Sequence, residues 1–191
     1  MKKRLLMGLM SAVMIGALVF TAPPSQAEEK TEKKAEALTI SGAVSKDAAL
    51  DVASLEKLGG EEVEWKHKDK TYRFTGVPLE KVLAEHGVKA GVMSNEIPKP
   101  EKLAGLKYVI VGSSPDGYQA VFSFSELSTF QGQPTKAFVV WKLDGKPLPE
   151  EMGPFRLVVP TDKEGARSMY HLAALQVVDM RQVVKPMEPV K

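Results

Sequence analysis

Two arginines stand out for the company they keep. Arg156 lies inside the apolar run Gly153-Pro-Phe-Arg-Leu-Val-Val-Pro160, and Arg167 with Ser168 follows the charged loop Thr161-Asp-Lys-Glu-Gly-Ala-Arg167. A guanidinium on each side of a glycine loop can hold an anion through bidentate hydrogen bonds, with backbone N–H groups adding donors. The same side chains can instead pair with carboxylates of the protein, Asp162, Glu164 or Asp179 for Arg167 and Asp116 for Arg156. Asp116 and Tyr118 belong to Ser113-Ser-Pro-Asp-Gly-Tyr118. They can line a ligand mouth or simply form a hairpin turn with a packed tyrosine. His171, beside Tyr170, is the histidine best placed for a general base, but no nucleophile is matched to it, so no catalytic residue is assigned. His67 reads as solvated in a lysine-rich turn, and His86 as a packing residue in the last turn of a helix. No His/Asp/Glu spacing makes a metal set. The candidate binding residues are therefore Arg156, Arg167, Ser168, His171, Asp116 and Tyr118.

Composition narrows the chemistry further. The chain of 191 residues has no cysteine. That excludes disulfides, thiolate metal ligands, a cysteine nucleophile and c-type haem attachment. The N-terminus has a basic start at Lys2-Lys3-Arg4, an apolar stretch Leu5 to Phe20, and Ser25-Gln-Ala27 before an expected cleavage. This is the pattern of a secretory signal peptide. The protein is expected to be periplasmic or secreted, with no membrane attachment after cleavage. The formal charge is +2 with 26 basic and 24 acidic side chains. Without Lys2, Lys3 and Arg4 it becomes 23 against 24, so no basic footprint for nucleic acid remains.

The elements that must position these residues are read from periodicity. Residues 28–37 form a polar tether, 38–184 one domain and 185–191 an unstructured tail. Leu38–Val44 alternates as a strand, and Asp51 caps a helix over Val52–Leu58 stopped by Gly59-Gly60. Val63 and Trp65, then Tyr72 and Phe74, alternate around a polar turn and predict a hairpin. Pro78 is expected at the first position of a helix carrying Leu79, Val82 and Leu83 and ending at Gly87. Residues 88–102 read as a long loop. Leu106–Val111 is expected to be a buried strand, with Tyr108–Val111 apolar on both faces. The turn at Ser113–Gly117 returns the chain into Tyr118–Phe122. Ser123 and Glu126 match a capping box for a helix through Thr129. Ala137–Trp141, a turn at Asp144-Gly145, and a return strand kept short by Pro147, Pro149 and Pro154 follow. Phe155, Leu157 and Val159 share one face by the period of two, and Arg156 interrupts the other. A last buried strand ends near Val178. Strands dominate, with three or four short helices between hairpins, which predicts an α+β fold.

Several of these pieces, in this order, resemble the sulfite-oxidase-type oxidoreductase molybdopterin-binding domain. They are Phe74-Thr-Gly-Val-Pro-Leu79 with Val82-Leu83 and Gly87-Val88, Ser114-Pro-Asp-Gly-Tyr118, Leu143-Asp-Gly-Lys-Pro-Leu-Pro149, Gly153-Pro-Phe-Arg-Leu-Val-Val-Pro160 and Gly165-Ala-Arg-Ser168. The resemblance covers most of Leu38 to Val178. It implies a mixed, strand-rich fold, and it places Arg156, Arg167 and Ser168 near a pterin and its phosphate. This sequence also departs from the family pattern. The molybdenum-ligating cysteine is missing. Met152 stands where the family has histidine, Thr161 where it has glycine, and Tyr170-His171 where it has Lys-Trp. The expectation is a non-catalytic binding or accessory module for a small anion, a pterin-like ligand or a periplasmic partner protein. No cofactor is expected on this reading. The alternative is a molybdopterin-dependent oxidoreductase whose molybdenum has no cysteine ligand.

Overall fold

The computed structural model describes residues 37–88, 105–128 and 133–184. All of them fall in one compact unit, Glu32–Lys191. The signal peptide, all but the last residue of the tether, the tail, residues 89–102 of the long loop, and Thr129 lie outside the described residues. Among the described residues no helix is long and apolar enough to cross a membrane.

Among the described residues, ten strands form two five-stranded sheets. The first sheet contains β1 (Leu38–Gly42), β2 (Ala48–Leu50), β5 (Tyr108–Ser113), β6 (Gln119–Ser123) and β10 (Ala174–Asp179), ordered β2-β1-β10-β5-β6. β1 and β10 are parallel, Thr39 opposite Ala174, and the other neighbours are antiparallel. The second sheet contains β3 (Glu61–His67), β4 (Lys70–Pro78), β7 (Phe138–Leu143), β8 (Lys146–Pro147) and β9 (Arg156–Val158). β9 and β8 both pair with β7, on stretches Phe138–Val140 and Lys142–Leu143. The helices are short: α1 (Val52–Lys57), α2 (Leu79–Glu85), α3 (Phe124–Leu127) and α4 (Met180–Val183). This is the mixed α+β architecture expected from the sequence.

One apolar cluster joins the sheets. Leu38, Ile40, Ile110, Phe122, Leu175 and Val177 from the first meet Val77, Val139, Trp141 and Leu157 from the second, with Phe155 and Val159 flanking β9. Each such side chain removed from water stabilises the fold by roughly 1.5–3 kcal/mol. Helices α1, α2 and α3 add Leu55, Leu79, Val82, Leu83, Phe124 and Leu127. Local chemistry sets their ends. Asp51 accepts the Ser54 N–H at 2.8 Å, and Gly59 and Gly87 adopt φ of 82° and 85° beyond α1 and α2. The Ser123 N–H donates to Glu126 Oε1 at 2.9 Å at the start of α3.

Four expectations about elements need correction. Pro78 closes strand β4 with φ −54° and ψ 132°, so α2 begins at Leu79. His86 is the half-buried residue that caps α2, outside its last turn. Strand β5 buries Ile110 and Gly112, while Val109 and Val111 are half-buried on the opposite face. There Val111 lies beside Val121, which is 53% exposed. Helix α3 ends at Leu127, because Ser128 is already extended at ψ 162°.

A second, smaller cluster lies on the other face of the second sheet. It holds Val63, Trp65, Phe74, Phe138, Val140, Leu148 and Val158, with Tyr72, Leu143 and Met152 against it. Strand alternation aims Phe155, Leu157 and Val159 at the main core and turns Arg156 and Val158 toward this second cluster.

Candidate aromatic and arginine site on the second sheet

The site grows from the β3–β4 hairpin. Trp65 pairs with Tyr72 across the strands, and Val63 with Phe74. The Trp65 ring lies 5.7 Å from Tyr72 and 6.4 Å from Phe74, and His67 stacks on it at 4.9 Å. His67 is thus half-buried against an aromatic ring, and the expectation of a solvated side chain is corrected.

Arg156 enters this group from β9 and is only 1% exposed. Its guanidinium carbon sits 4.0 Å from the Tyr170 ring centre, 4.9 Å from Trp65 and 5.4 Å from Phe74. Nη1 donates to the Met152 sulfur at 3.6 Å, and Nε has no hydrogen-bond partner. Among the described residues no carboxylate forms an ion pair with it. The pair with Asp116, offered from the sequence as an alternative, is not formed. Burial lowers the Arg156 pKa, opposed by the phenols of Tyr170 and Tyr72. A guanidinium nevertheless stays charged, so this is a buried cation held by ring faces and a thioether.

The loop after β9 covers the aromatic group. A 3-10 turn, Gly165–Arg167, presses against the hairpin. A β-carbon added at Gly165 would lie 3.2 Å from His67 Cε1 and 3.4 Å from Trp65 Cζ2, so glycine suits the close approach. Leu157 N–H donates to the Met169 carbonyl at 3.0 Å, and Leu172 N–H to the Phe155 carbonyl at 2.9 Å, so residues 169–172 run beside β9. His171 takes a φ of 49°, and its N–H donates to the Met152 carbonyl at 3.1 Å.

Arg167 faces the other way. Nε and Nη2 grip the two oxygens of Asp162 at 2.8 and 2.6 Å, and Nη1 lies 3.3 Å from both oxygens of Glu126 on α3. The Phe122 ring lies beneath at 4.8 Å. These carboxylates, Asp162 first, raise the Arg167 pKa. Of the two readings offered by the sequence, the structure adopts the internal pair. Ser168 is buried, and its hydroxyl oxygen accepts the Val159 N–H at 2.9 Å.

Asp116 accepts hydrogen bonds from the Ser114 hydroxyl and, at 2.9 Å, from the Tyr118 N–H. Its carboxyl is held below the ordinary range by Ser114 first and then by Tyr118, with a smaller contribution from nearby His171. The Tyr118 hydroxyl donates to the Ala166 carbonyl, while 47% of the residue stays exposed. The turn at residues 114–118 is therefore docked on the 3-10 turn.

Three of the six predicted residues thus gather on one rim, Asp116, Tyr118 and His171, while Arg167 turns away to Asp162 and Glu126. Arg156 lies close by beneath Tyr170, and Ser168 points inward. Sequence reasoning missed Trp65, Phe74 and Met152 as the walls around Arg156. The cross-strand pairing of Trp65 with Tyr72 was a usable signal. It also missed Glu126, 41 residues from its partner, which no spacing rule connects to Arg167.

These residues do not fit a molybdenum cofactor. There is no thiolate, and the described residues contain no group of three or more His, Asp or Glu able to hold a metal. A phosphate at Arg167 would meet Asp162 and Glu126, whose negative charge already balances the guanidinium.

A family model described as "Oxidoreductase molybdopterin binding domain" matches residues 60–184. A solved structure of sulfane dehydrogenase SoxCD from Paracoccus pantotrophus is similar at 21% identity and a TM-score of 0.49. That similarity covers 75% of this chain but 38% of the other, so this chain spans well under half of its length. No curated protein matches the sequence.

Proposed function

The chain belongs to the oxidoreductase molybdopterin-binding domain family, and from that premise we propose a non-catalytic member that works as an exported binding or accessory module. The observation that carries this reading is the closure of Arg167 by Asp162 and Glu126. A cofactor-binding cation needs an open hydrogen-bonding face, and this one is spent on protein carboxylates. The absence of cysteine supports the same reading. The binding surface is the rim formed by Asp116, Tyr118, Tyr170 and His171. Tyr118 and Tyr170 are each 47% exposed. Tyrosines of this kind anchor interfaces because they present large area at low entropic cost. The occupant is a periplasmic partner protein or a small pterin-like or anionic ligand.

The competing reading is a molybdopterin-dependent oxidoreductase, favoured by the unpartnered Nε of Arg156. Metal and pterin content separates the two. Protein exported from a molybdenum-replete host is expected to carry neither molybdenum nor releasable pterin, with Glu28 as the mature N-terminus. Stoichiometric amounts of both would overturn the proposal.

A further inference from the structure

We propose that Met152 is an oxidation site, and that Arg156 takes up the sulfoxide oxygen formed there. Arg156 is 1% exposed, yet among the described residues it has no carboxylate ion-pair partner, and its Nε has no hydrogen-bond partner. The acceptor at Nη1 is the Met152 thioether at 3.6 Å, a weak one. The site is therefore a desolvated cation whose acceptors are the weak Met152 thioether and the Tyr170 phenol, with Nε left over. Met152 is half-buried on the loop before β9, so part of the residue meets solvent. Met169 is the contrasting case: it is 2% exposed, with its sulfur turned toward Gly112 in the main core.

The step is balanced with a peroxide as oxidant. A sulfur lone pair of Met152 attacks one peroxide oxygen, the O–O bond breaks and an S–O bond forms. The sulfur gives up two electrons, and the other oxygen leaves as water after taking the proton. Methionine oxidation ordinarily disrupts a packed site by placing a polar group among apolar ones. Here the sign reverses. A dipolar S=O beside a buried guanidinium makes a charge-assisted hydrogen bond in place of a weak thioether contact.

The test is stepwise hydrogen peroxide treatment of the purified protein, followed by peptide mass mapping and thermal melts. Met152 is expected to be oxidised well before Met169. Protein oxidised at Met152 should melt at the same temperature as untreated protein or about 2–4 °C higher. A Met152→Gln variant, which supplies a carbonyl acceptor of similar length, should match or exceed the wild type, and Met152→Leu should lose the response to peroxide. In Arg156→Met, oxidation of Met152 should lower the melting temperature instead. Equal resistance of Met152 and Met169, or a lower melting temperature for both the Met152 sulfoxide and Met152→Gln, would overturn the proposal.

Discussion

The two arginines that look alike in the sequence solve opposite problems. Arg167 is a half-buried cation with two carboxylates, and it ties the loop after β9 to α3. Charged hydrogen bonds contribute about 1.5–3 kcal/mol each, but partial exposure screens this pair. Arg167→Ala should therefore lower unfolding stability by roughly 1–2 kcal/mol in urea. A double-mutant cycle with Asp162→Ala should show most of that as coupling, and additive effects would refute the pairing. Arg156 is a buried cation with no carboxylate partner among the described residues. Such charges carry a desolvation penalty that a well-packed apolar replacement avoids. Arg156→Met is expected to fall within about 1 kcal/mol of the wild type or above it. Arg156→Ala should cost about 3 kcal/mol through the cavity left among Trp65, Phe74 and Tyr170. Chemical denaturation of the two variants side by side checks the contrast.

At the level of elements, the second sheet is shaped by one irregularity. The pairing of β4 with β7 shifts register between Thr75 and Gly76. A β-carbon at Gly76 would lie 2.5 Å from Val140 Cγ1 and 2.7 Å from the Val139 carbonyl oxygen. The glycine is needed for this approach. Gly76→Ala should destabilise the domain by about 1–3 kcal/mol, as overpacking does elsewhere. Hydrogen exchange should quicken first at β4 and β7, and a uniform change across both sheets would argue against a local cause. The same pairing carries Phe74 and Val140 into the cluster around Arg156. Strand register and site geometry are thus one feature. β9 needs only three residues because β7 supplies its partners and the loop 169–172 covers its other edge.

At the level of the whole molecule, β10 sits between β1 and β5, so the end of the domain closes on its beginning. Asp179 ends β10 on the β5 side and caps α4. It accepts the Arg181 N–H at 3.0 Å, pairs with the Arg181 guanidinium at 2.8 Å and lies 3.5 Å from Lys107. Hydrogen bonding from Arg181 is the first cause that brings its carboxyl down to about 2. A depressed carboxylate stabilises the fold above its unfolded value, ~3.9 for Asp, and that contribution is lost as pH falls toward 2. Stability measured by denaturant titration should fall between about pH 4 and pH 2, and Asp179→Asn should flatten part of that slope. An unchanged slope would remove Asp179 from the acid response.

The sequence by itself determined the strand-rich α+β fold, the family, the hairpin turns and the caps of α1 and α3. These depend on neighbours within a few residues: Asp51 with Ser54, Ser123 with Glu126, the positive φ of Asp144 and Gly145. The alternation around Arg156 even showed which face the arginine would take. What surrounds it was decided only by the tertiary structure. Trp65, Phe74 and Tyr170 converge from three separate segments, and Glu126 reaches Arg167 across 41 positions. A lone sequence records a charge and its local period, but not which distant side chain will balance it. Sheet pairing and loop packing make that choice, leaving one arginine with carboxylates and the other with rings and a sulfur.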